Sequence, residues 1–115
     1  MPDLIDPAVV AELKDLMAGD LEALLQAFRD DSQARLAVAR RSWAAGDLAE
    51  LRSQAHSLKG AAANLGVAGL AAACQGLESA ARHGDADAVS SALDLVGELL
   101  NASHEAFQRP PYRDA

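Results

Sequence analysis

Glycines at positions 46, 66 and 84 divide most of this chain into four apolar-striped segments with almost no residues left over between them. Within each segment the apolar side chains recur three and four residues apart. The first carries Leu21, Leu24, Leu25, Phe28, Leu36, Ala39 and Trp43, and the second Leu48, Leu51, Ala55, Leu58, Ala62 and Leu65. The third carries Leu70, Cys74, Leu77 and Ala81, and the fourth Val89, Leu93, Val96, Leu99, Leu100 and Phe107. That spacing marks one face of an α-helix. Helices joined by turns this short must run antiparallel to their sequential neighbours. The predicted fold is all-α: an antiparallel up-down-up-down four-helix bundle with a short additional N-terminal helix.

Local punctuation supports the segment ends. Asp6 followed by Pro7 reads as an N-cap and first-turn proline, opening a short helix whose stripe is Val9, Val10, Leu13, Leu16 and Met17. Gly19-Asp20 interrupts it. Asp47 with Glu50 has the form of a capping box, Asp85 is placed to cap the last helix, and Gly69 is expected in the turn that Gly66 opens. Pro110-Pro111 stops the last helix. The domain division expected is a bundle over residues 1–109 and a flexible C-terminal tail over 110–115.

Composition narrows the function classes. Hydrophobic residues make up 50% of the 115 residues but aromatics only 3%, so the core is built from Ala and Leu, which favour helices. A net charge of −7, with no basic stripe, argues against nucleic acid as a partner. Cys74 is the single cysteine, so no intramolecular disulfide can form. The N-terminus lacks the basic region of a signal peptide, and no run approaches the roughly 20 apolar residues of a membrane span. A monomeric, cytoplasmic protein that does not engage the membrane is expected.

The chemistry concentrates in Ala55-His56-Ser57-Leu58-Lys59-Gly60-Ala61-Ala62-Ala63-Asn64-Leu65-Gly66. At 100° per residue, His56 points roughly 130° away from the apolar seam of its helix, toward solvent. Arg52 and Lys59 share its face and would form a local positive patch suited to a phosphoryl group, although surface cations more often only solubilise a helix. Gly60 costs a helix interior roughly 1 kcal/mol relative to alanine, and no kink or cap requires it. Beside His56 it clears room for a partner, and Ala61 and Ala63 keep that surface low.

Two antiparallel helices leaving one turn reach equal height after equal residue counts. His56 precedes Gly66 by ten residues and Glu78 follows Ala68 by ten. Glu78 is therefore a candidate to hold one ring nitrogen of His56; the alternative is an exposed glutamate paired with Arg82. Gln75, one turn nearer the loop, is a second candidate for the same task. The same counting across Gly46 sets Ala37 beside His56, so Ala34, Ala37, Val38, Arg41 and Ala63 are expected to line a docking surface.

Residues 55–66 resemble the signature of the histidine-containing phosphotransfer domains of bacterial multistep phosphorelays, with the lysine at +3, the glycine at +4 and the glycine at +10 from the histidine. The helical pattern over residues 7–109 is similar to that family's four-helix fold. The resemblance implies that His56 accepts a phosphoryl group from the receiver-domain aspartate of a hybrid sensor kinase and passes it to the receiver aspartate of a response regulator. It further implies that Lys59 assists electrostatically, that Gly60 admits the receiver, and that the position of Glu78 hydrogen-bonds the imidazole. The chain would need no cofactor of its own, the Mg2+ belonging to the receiver. Its sequence has neither a nucleotide-binding P-loop nor a kinase glycine-rich motif, and His83 and His104 lack metal-ligand spacing. It is thus expected to be a phosphocarrier without kinase activity of its own. Two other readings fit the bundle: the phosphorylatable domain of a chemotaxis kinase, which the chain's start at Met1 and short tail argue against, and a helical adaptor that carries no phosphate. A phosphate sink that only drains a receiver is a further possibility.

Overall fold

The computed structural model describes residues 3–17, 19–109 and 112. The chain forms five helices: α1 (Pro7–Met17), α2 (Leu21–Ala44), α3 (Leu48–Asn64), α4 (Ala68–His83) and α5 (Ala86–Phe107), and no strand occurs among the described residues. Helices α2 to α5 alternate in direction around one core, as the short turns require. Leu51, Leu58, Leu70, Leu77 and Leu100 are fully buried there, with Val67, Val89, Val96 and Cys74 filling the space between them. Each such leucine contributes roughly 1.5–3 kcal/mol of transfer free energy. α3 and α4 pack most extensively on each other, and α2 and α5 make the thinnest seam of the bundle.

The caps follow the sequence closely. Asp6 Oδ1 accepts from the Ala8 amide at 3.0 Å, and Asp85 Oδ1 from the Ala88 amide at 3.2 Å. Gly66 and Gly84 take the left-handed conformation (φ 76° and 69°) that ends a helix without side-chain strain. At Asp47 only half of the expected capping box forms. Its carboxylate accepts from the Glu50 amide at 3.1 Å, but the Glu50 carboxylate turns to Gln54 Nε2 at 2.7 Å. Gln54 in turn accepts from Arg35 Nη1 at 3.3 Å, which ties α3 to α2.

Two expectations need correction and a third needs extension. Gly69 lies inside the first turn of α4, not in the loop, and is buried. The reason is the N-terminal segment. Leu4 crosses so close that a Cβ on Gly69 would sit 2.9 Å from the Leu4 Cα, and the Gly69 amide donates to the Leu4 carbonyl at 3.1 Å. The Asp6 amide likewise donates to the Gly66 carbonyl at 2.6 Å, so the chain start is stitched across the α3–α4 turn. Second, Leu16 is 80% exposed: α1 is anchored through Val10 on the core, with Leu13 and Met17 packed against it, and its stripe is too narrow to include Leu16. Third, the inward face of α5 includes Ser103 and His104. Of the expected tail, only Tyr112 is described; its ring meets Phe107 edge-on at 5.5 Å. The rest of 110–115 lies outside the described residues.

Candidate functional site

His56 stands midway along α3, whose Leu51, Ala55, Leu58 and Ala62 fill the core on the opposite face. Its side chain is 70% exposed. Nδ1 lies 3.3 Å from Glu78 Oε1 on α4, at the long end for an N–H···O bond but close enough to orient the ring. No described residue engages Nε2. The equal-height count across the α3–α4 turn thus brings together the pair it named.

Glu78 is the hub of the site. Its side chain is only 13% exposed, and its second oxygen, Oε2, accepts from Lys59 Nζ at 2.9 Å. Arg82, the alternative partner for Glu78, reaches Oε1 only at 3.9 Å. The Lys59 hydrogen bond holds the Glu78 carboxyl below its usual range; burial opposes this, and the charges of Lys59 and His56 add to it. The carboxylate is ionised at neutral pH and accepts from whatever donor faces it.

Lys59 differs from the expectation. It does not stand free with Arg52 as a positive patch but leans across to α4, where Gln75 Oε1 also accepts from Nζ at 2.9 Å. Gln75, the second candidate to hold His56, therefore holds Lys59. This pairing was open to the same counting rule: Lys59 precedes Gly66 by seven residues and Gln75 follows Ala68 by seven. Arg52 is exposed and makes no hydrogen bond or ion pair among the described residues. Behind Lys59, burial pushes the Cys74 thiol up to about 12, with the Lys59 charge pulling slightly the other way, so it stays neutral.

Gly60 is exposed, and a Cβ built on it would meet no heavy atom within 4 Å. The structure of this chain alone therefore gives no internal reason for a glycine there. Ala34, Ala37 and Arg41 on α2, Ala63 on α3 and Gln75 on α4 are exposed, and Val38 is half-buried. One and two turns beyond the imidazole on α3, Gly60 and Ala63 leave a low surface. Among the described residues no group of His, Cys, Asp and Glu is arranged to hold a metal ion, and no helix is long and apolar enough to cross a membrane.

A four-helix bundle that presents one exposed, carboxylate-oriented histidine from the middle of a helix defines the class of histidine phosphotransfer proteins. Residues 23–107 match the family model of the Hpt domain, and the chain belongs to that family, whose members serve phosphorelays. Among solved structures it is similar to histidine-containing phosphotransfer protein B (HptB) from Pseudomonas aeruginosa PAO1, at 30% identity over 94% of each chain with a TM-score of 0.88. A putative histidine-containing phosphotransfer protein from rice shares the fold at 19% identity, over 91% of this chain and 77% of that one, with a TM-score of 0.84. A comparison with curated protein sequences returns no match.

Proposed function

We propose that this protein carries a phosphoryl group on Nε2 of His56, taking it from the receiver aspartate of a hybrid sensor kinase and giving it to the receiver aspartate of a response regulator. The observation that carries this reading is the ring itself: it projects into solvent, one nitrogen rests against Glu78, and the other is unengaged. A neutral imidazole with Nδ1–H directed at a carboxylate keeps its lone pair on Nε2, the atom that must attack phosphorus.

Little more is asked of the carrier, because phosphoryl transfer depends mainly on positioning and charge stabilisation. Lys59 supplies a cation beside the ring, and Arg52 a second one a turn earlier. The receiver brings the nucleophilic or phosphorylated aspartate and the Mg2+. Gly60, Ala63, Ala34, Ala37 and Val38 leave a low, largely apolar floor on which it can seat, with Arg41 and Gln75 at the edge. In this reading the protein is a monomeric cytoplasmic carrier and does not use ATP.

Incubation with a phosphorylated receiver domain tests the proposal. Label should appear on the wild-type chain as an acid-labile phosphohistidine and be absent from His56→Gln. Label from a histidine kinase catalytic domain with ATP, and none from any phosphorylated receiver, would assign the chain to the chemotaxis-kinase type instead. If His56→Gln binds receivers and signals unchanged, the adaptor reading holds.

A further inference from the structure

Aromatic side chains are scarce in this chain, yet three of its four gather at one end. Phe28, Phe107 and Tyr112 stand where the first turns of α2 meet the last turns of α5, and only Trp43 lies elsewhere. Phe107 and Tyr112 meet edge-on at 5.5 Å, and Phe28 meets the His104 ring in the same way at 6.1 Å. These rings do not close the end of the bundle. Beside them, residues of α1, α2 and α5 border a cavity of about 510 Å³, a size that suits a small organic ligand. Leu21, Leu25 and Phe107 give it an apolar lining, and Tyr112 and His104 add two further rings.

The charge at this cavity runs against that of the chain, which carries −7 overall. Lys14 from α1 and Arg29 from α2 both line it, against one carboxylate, Glu22, among the described lining residues. Lys14 and Arg29 are exposed, and neither side chain has an ion-pair or hydrogen-bond partner among the described residues. In this they differ from Arg35, Arg40, Lys59, Arg82 and Arg109, each of which reaches a carboxylate. The other two described cations without a partner, Arg41 and Arg52, belong to the face assigned above to the receiver. His104 adds a third unmet demand. It is more than nine-tenths buried in the cavity wall, and its Nε2 has no hydrogen-bond partner among the described residues. Such an atom costs free energy that a ligand atom bonded to it recovers.

We infer that this cavity binds a small aromatic carboxylate, its ring among Leu25, Phe107 and Tyr112, its charged group held by Lys14 and Arg29, and His104 supplying a hydrogen bond from the wall. Each part of that ligand answers an observed feature. Planar rings pack well edge-to-face on other rings, which this end of the bundle concentrates. A carboxylate matches the fork of an arginine and takes charge-assisted bonds from both cations. A bare phosphate would leave the apolar lining unused, and a plain hydrocarbon would leave Lys14 and Arg29 unused. The cavity shares no lining residue with the cluster of His56, Lys59, Gln75 and Glu78, and the inference does not depend on the phosphocarrier reading.

The test titrates the full chain with benzoate and follows it by nuclear magnetic resonance. Benzoate should shift the amides of Leu21, Leu25, Arg29 and Phe107 and the ring signals of His104 and Tyr112 along one saturable curve. Signals of His56 and Glu78 should stay in place. Benzamide, which keeps the ring and lacks the charge, should bind about tenfold more weakly. Benzoate should lose about as much on the double variant Lys14→Gln, Arg29→Gln, since two exposed ion contacts together are worth about a factor of ten. Both substituted side chains are exposed, so the variant keeps the fold. Absence of a saturable shift, shifts scattered outside the cavity, or equal binding by benzamide or by the variant would overturn the site. Hexanoate or inorganic phosphate binding there as tightly as benzoate would overturn the assignment of an aromatic carboxylate.

Discussion

His104, on the inward face of α5, is 8% exposed, its Nε2 has no hydrogen-bond partner among the described residues, and its ring meets Phe28 edge-on at 6.1 Å. Burial holds its pKa below the ordinary value, the Arg29 charge lowers it further, and Asp30 opposes both. The folded protein therefore resists protonating a ring that the unfolded chain protonates readily. Its contribution to stability is present above the ordinary histidine value of ~6.5 and is lost as pH falls toward the depressed folded value. Urea midpoints measured between about pH 7 and pH 5 should decline in wild type, with one such group giving up to about 1.4 kcal/mol per pH unit. His104→Leu should flatten that decline, and an unchanged slope would contradict the assignment. His104 escaped the sequence reading because a polar residue does not register in a stripe of leucines and valines. Ser32 and Ser103 escaped it for the same reason: each is buried, and each donates its hydroxyl to a carbonyl of the preceding helical turn, so its polarity is satisfied inside its own helix.

At the scale of helices and turns, glycines at different places predict opposite outcomes. Gly60 sits in a helix interior facing open space, so Gly60→Ala should stabilise the free protein by roughly 0.5–1 kcal/mol. Gly69 is also helical, yet its Cβ would press on the Leu4 backbone, so Gly69→Ala should destabilise by displacing the N-terminal segment. Thermal melts of the two variants against wild type measure both signs, and equal shifts would refute the contrast. The capping aspartates and αL glycines made α3, α4 and α5 legible from residue order, because each end is set by chemistry within a few positions. The stitch of Leu4 and Asp6 onto the α3–α4 turn was not legible. It depends on two segments sixty or more residues apart, and the only trace in the sequence is a glycine, Gly69, that reads equally well as a loop residue. In the site the same distinction applies. Glu78 was reachable by counting from a turn, whereas the berth of Lys59 depends on where a flexible side chain finds its acceptors.

Across the whole molecule, packing is uneven, with α3 and α4 the best-joined pair and, within the four-helix bundle, α2 and α5 the most loosely joined. The cluster of His56, Lys59, Gln75 and Glu78 is built entirely on the former pair. Opening free energies follow local packing, so amides lining the α2–α5 seam should exchange with deuterium before those of α3 and α4 around His56 and Glu78. Hydrogen exchange resolved by residue checks this ordering, and faster exchange around His56 would reverse it. On that ordering the α2–α5 side of the bundle opens while the imidazole keeps its orientation. The threading of Leu4 and Asp6 over Gly66 and Gly69 has a practical corollary. Bulk fused ahead of the chain is delivered to the α3–α4 turn, where it would press on the contacts of Leu4 and Asp6 with Gly69 and Gly66. Affinity handles and fluorophores intended to leave that crossing intact belong at the opposite pole, on the Gly46 or Gly84 bends.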